Sequence, residues 1–127
     1  MPPPPLAPPE EFASLPGQPV AAMAAHPAIG PRLRAMAAGR QRLVAEALRG
    51  RGPAVVWEGG WLSGWAAAGE LRCFLAYEPR AEQVALMLWE GNRPSLFIPP
   101  RWAPWPEALR PALRRFNPEI EAQLRFG

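Results

Sequence analysis

The chain has 127 residues and a formal net charge of +3, and its chemistry is narrow: every basic residue is Arg, every acid is Glu, and Lys, Asp and Thr are absent. It therefore holds no Lys for a Schiff base or a P-loop, no Asp for a Ser-His-Asp triad, and, with His26 and Cys73 standing alone, no zinc site of nitrogen and sulfur ligands from one chain. These exclusions point away from an enzyme, and no catalytic residue, metal or cofactor is expected.

The length suits one domain with a real core. The abundance of Arg, Ala, Gly and Pro at the expense of Lys is what a GC-rich bacterial genome produces. No apolar run approaches the ~20 residues of a membrane span. The N-terminus lacks the basic start and apolar centre of a signal peptide, so a cytoplasmic setting is the default.

Residues 1–19 contain eight prolines and no Arg, which predicts a tail that is extended or disordered. Its opening, Met1-Pro2-Pro3-Pro4-Pro5, matches no specific ligand motif. A single domain is expected over residues 20–127. It starts with a short Ala-rich helix from Val20 to Ala25, which His26-Pro27 closes with His26 as its polar end. Gly30-Pro31 then opens an Arg-rich helix, with Pro at the first position where it costs least, running to about Leu48.

At 100° per residue Ile29, Leu33, Met36, Leu43, Val44 and Ala47 share one face of that helix, but Arg40 falls among them. Either Gly39 breaks the helix and resets its phase, or Arg40 meets a buried Glu; the break is the better reading, because Leu43, Val44, Ala47 and Leu48 make a clean stripe alone. Residues 31–51 carry six Arg and one Glu. Arg34, Arg42 and Arg49, extended by Arg51, form a patch opposite the apolar stripe and are candidates for binding anions or nucleic acid. No aromatic residue lies among them, and that ranks nucleic acid behind a protein partner.

Ala54 to Trp65 begins like a strand. In extended form Trp57, Trp61 and Trp65 would line one side, either as core or as an aromatic platform for a base, sugar or peptide proline. Three apolar runs follow, Leu71–Tyr77, Val84–Trp89 and Ser95–Ile98, joined by the turn-forming stretches Glu78–Glu82 and Glu90–Arg93. This is an antiparallel meander apolar on both faces, so both faces must be covered. Helices can cover one. A tail, another segment or a second subunit must cover the other, which makes Phe74, Met87 and Trp89 the candidate partner-binding residues. Arg101–Pro106, with alternating Trp and Pro, reads as a lid across the sheet edge. Glu107–Phe116 reads as a helix started or kinked by Pro111, and Asn117-Pro118-Glu119 as the start of a last helix ending near Arg125.

The expected fold is α+β: an N-terminal Arg-rich helix, an antiparallel sheet of about four strands and two short C-terminal helices on one face. The expected function is a non-enzymatic protein–protein interaction module, an accessory subunit or adaptor, working as an oligomer or with a protein partner. Two alternatives stand behind it: a nucleic-acid-binding module using residues 31–51, and a small-ligand binder with a Trp-lined pocket.

Overall fold

A computed structural model describes residues 6–37 and 39–127, so the opening proline run at 1–5 lies outside the described residues. The fold is α+β, as expected, with five strands rather than four. Helices α1 (Val20–Ala25), α2 (Gly30–Met36) and α3 (Gln41–Leu48) precede strands β1 (Val56–Glu58), β2 (Trp61–Ala68), β3 (Leu71–Glu78), β4 (Gln83–Glu90) and β5 (Arg93–Ile98). Helices α4 (Arg110–Phe116) and α5 (Pro118–Gln123) follow. The sheet is an antiparallel meander in the order β1-β2-β3-β4-β5.

The period-two alternation of the strands sorts side chains onto two faces, as the pleat requires. Cys73, Leu75, Tyr77, Val84, Leu86 and Leu88 face α1–α3, while Phe74, Ala76, Ala85, Met87 and Trp89 face α4 and α5. The C-terminal helices thus cover the second face within the same chain, and the sheet lies between two helical layers.

The fifth strand comes from the segment expected to be one extended run. Gly59 and Gly60, at φ +61° and +85°, close a two-residue hairpin between β1 and β2. Positive φ at both central residues matches the right-handed twist of the flanking strands, a conformation that glycine adopts without a Cβ penalty.

The Arg-rich helix is two helices. α2 stops at Met36, Gly39 takes φ +83°, and α3 begins after Arg40. Arg40 is thereby freed from the buried stripe and lies 3.7 Å from Glu90, with both side chains well exposed. Leu33, Val44, Ala47 and Leu48 keep the inward positions.

The tail expectation for residues 1–19 does not describe residues 6–19. Glu10–Phe12 form a turn of 3-10 helix, and Phe12 and Leu15 are buried. Phe12 stacks at 5.4 Å from Tyr77 and 4.7 Å from His26. The backbone is tied as well: Gly17 N–H donates to Val55 O and Val55 N–H to Gln18 O, each at 2.8 Å. Two apolar side chains and two hydrogen bonds suffice to seat a segment whose prolines need no ladder partners. His26 ends α1, accepting at Nδ1 from Ala28 N–H and bonding Glu11 O through Nε2, a pair satisfied by the Nε2–H tautomer.

Gly50 and Gly52 let the chain leaving α3 lie against β2, where Arg51 and Ala67 exchange backbone hydrogen bonds. A Cβ on Gly52 would lie 1.9 Å from Trp65 O, and one on Gly50 2.0 Å from Ala67 O. Gly52→Ala must therefore displace backbone. The expected loss is about 1–3 kcal/mol, the usual range for overpacking, read as a lower urea midpoint at unchanged slope. An unchanged midpoint would mean that this bridge yields without cost.

Candidate functional site

Phe74 and Met87 are fully buried and Trp89 is 8% exposed, all beneath α4 and α5. The expectation that they meet a partner is corrected: Leu113, Phe116 and Ile120 complete this core from within the chain. Asn117 makes that closure compact. Its Oδ1 accepts from Glu119 N–H at 3.2 Å and Ile120 N–H at 3.3 Å, so α5 starts immediately after α4 ends. Across the two helices, Glu121 accepts from Arg110 at 3.1 Å and Arg114 at 3.0 Å. The hydrogen bond from Arg114, aided by that from Arg110, holds its carboxyl below the usual range.

The three indoles do not form one platform. The Gly59-Gly60 hairpin pairs Trp57 with Leu62, which places Trp57 against the N-terminal layer, whereas Trp61 and Trp65 face the C-terminal helices. Arg34, Arg42, Arg49 and Arg51 are all exposed. Among the described residues none of the four has an ion-pair partner, unlike Arg32, Arg40, Arg80, Arg110, Arg114 and Arg115. The break at Gly39 puts them on two helices and a loop, and the structure brings only Arg34 and Arg42 together, at one groove.

A different surface carries the features of a protein contact. Trp102 is 79% exposed, the largest side chain left outside among the described residues. Trp105, three residues on, is fully buried. Its backbone holds the C-terminus, donating to Arg125 O at 2.8 Å and accepting from Gly127 N–H at 3.0 Å. Phe97 on edge strand β5 meets Trp105 edge-on at 6.4 Å and Trp89 at 6.1 Å. Arg101 lies over Phe97 at 5.8 Å and bonds Gln123 on α5. The loop expected as a lid is thus pinned on both sides of Trp102, and the indole stands on a rigid base beside an apolar depression of about 400 Å³ lined by Pro94, Leu96, Phe97 and Pro100. The alternating Trp and Pro marked the loop, but nothing in the spacing says which ring points out.

β3 and β5 run toward the same end of the sheet, so the chain leaves β5 at the end where the β3–β4 turn projects. That turn is built tightly. Glu78 accepts from Ala81 N–H and lies 3.5 Å from Arg80, and Glu82 is tied to α2 by Arg32 at 3.0 Å. Glu82 is the single non-glycine with positive φ among the described residues, at +53°. Such a conformation persists only where the surroundings hold it. Arg80 sits at the tip with about half of its side chain exposed.

Among the described residues no three His, Cys, Asp or Glu gather as metal ligands would. Cys73 is buried mid-sheet, and desolvation pushes its thiol far up.

Residues 28–119 match the family model described as inhibitor of vertebrate lysozyme (Ivy). No curated protein and no solved structure matches the chain. The family finding overturns the accessory-subunit or adaptor reading, because the family is one of inhibitors that act on an enzyme. The general expectation of a protein partner agrees with it. The match spans well over half of the sequence, and the chain belongs to the Ivy family.

Proposed function

We propose that this member of the Ivy family binds and inhibits a vertebrate lysozyme, with the exposed Trp102 and the β3–β4 turn as its two contact elements, and that it catalyses nothing itself. The family match carries the reading, and both surface elements lie inside the matched residues. A stable protein interface buries about 800 Å² per partner around a few anchors, with Trp and Arg enriched among them. Trp102 supplies the exposed indole on a rigid base. Arg80 supplies a cation on a tightly held turn, and lysozyme works with two carboxylates flanking its scissile bond, one of them ionised. A guanidinium is the complementary group for such a site.

The test is lysis of a bacterial cell-wall suspension by a vertebrate lysozyme with increasing folded chain. At roughly micromolar concentrations an equimolar mixture is expected to lose most of the lytic rate, as a submicromolar Kd requires. Full lysis at about tenfold molar excess would overturn the reading, since even weak micromolar binding would then show.

A further inference from the structure

The groove that holds Arg34 and Arg42 lies on the N-terminal helical layer, and its chemistry is independent of the lysozyme reading. α1, α2 and α3 diverge around the break at Gly39 and leave a cavity of about 300 Å³. Leu33, Ala37, Val44 and Leu48 form its apolar lining, and the two arginines are its only charged groups among the described residues. Arg34 reaches back over Gly30, where an added Cβ would lie 3.2 Å from its Nη1 and 2.8 Å from Ala24 O. Glu46, one turn beyond Arg42, makes no ion pair with it, nor does any other described carboxylate with either arginine.

We propose that this groove binds a single-chain anionic amphiphile, a medium-chain fatty carboxylate, with its alkyl chain on the apolar lining and its head between Arg34 and Arg42. Each half of the site excludes other occupants. A small inorganic anion would leave the lining empty, and a neutral hydrocarbon would leave both guanidiniums to water alone. A cavity of about 150 Å³ holds benzene, so twice that volume accommodates an alkyl chain of roughly ten carbons. A carboxylate head can accept charge-assisted, bidentate bonds from guanidinium groups.

Calorimetric titration of the full chain with decanoate below its micellar concentration, with decanol as the neutral control, tests this. Saturable one-to-one binding is expected for decanoate, at least tenfold tighter than for decanol. In Arg34→Ala/Arg42→Ala, whose side chains are exposed and whose fold circular dichroism will verify, the preference for the acid should vanish. Ala45→Phe, which fills the groove wall, should weaken acid and alcohol alike. Equal affinity for the two ligands in the native chain would overturn the proposal, as would an acid preference that survives the double substitution. A parallel arm uses phosphatidylglycerol vesicles. Binding to vesicles without binding to decanoate would assign the arginines to a membrane surface and likewise overturn it.

Discussion

Replacing Trp102 by alanine is expected to weaken inhibition of lysozyme by roughly 30-fold or more, the ~2 kcal/mol that defines an interface hot spot, while the unfolding midpoint stays where it is. The two readouts separate because the indole is 79% exposed. Substitutions at such positions, away from caps and core, usually change stability by no more than about 0.5 kcal/mol. The loop should keep its shape without the ring, since Arg101 remains anchored on Phe97 and Gln123 and Trp105 on the C-terminal backbone. Inhibition constants for the native chain, Trp102→Ala and Arg80→Glu decide the matter. Loss in Trp102→Ala supports the proposed surface, and a further loss in Arg80→Glu extends it to the turn. Native-like inhibition by both variants would move the interface elsewhere on the chain.

Three residues away, the same substitution should have the opposite profile. Trp105→Ala removes a fully buried indole from the core formed with Phe97, Leu109 and Leu113. Burial losses of this kind cost about 3–5 kcal/mol. For a domain of this size that corresponds to a drop on the order of 10–20 °C in Tm. Trp105 Nε1 is buried without a hydrogen-bond partner among the described residues, so Trp105→Phe surrenders volume but also relieves an unsatisfied donor. The Phe variant should therefore lose clearly less than the Ala variant. Equal losses would show that cavity volume is not what Trp105 supplies. Where Trp105→Ala remains folded at low temperature, any change in its inhibition should follow the fraction folded.

The contrast between these two tryptophans marks where reading the chain in order stops being informative. Both sit in Arg101-Trp102-Ala103-Pro104-Trp105-Pro106, Trp102 between Arg and Ala and Trp105 between two prolines, and neither pair of neighbours says which ring is buried. Only the docking of this loop between β5 and α5 turns one inward and leaves the other in water. Trp57 and Trp61, four residues apart, show the same limit. Their spacing suits one face of an extended strand, yet the Gly59-Gly60 hairpin reverses the chain between them and sends them to opposite layers. A Gly-Gly pair is a strong hairpin signal, and weighing it above the indole spacing would have recovered β1.

What the sequence determined by itself is what depends on neighbouring residues along the chain. The alternation in β3 and β4 set both faces of the sheet, Gly39 reset the helix, and Asn117 capped α5, because pleat, helix phase and capping act over one to four residues. The tertiary structure decided what covers each apolar face. Phe74, Met87 and Trp89 require burial, and the hydrophobic effect is indifferent to whether a helix of the same chain or another protein provides it. Here Leu113, Phe116 and Ile120 reach that face first, since a short connection brings them there at less entropic cost than recruiting a second molecule. The same step decided that the exposed indole is Trp102, and with it where on this chain a lysozyme is expected to sit.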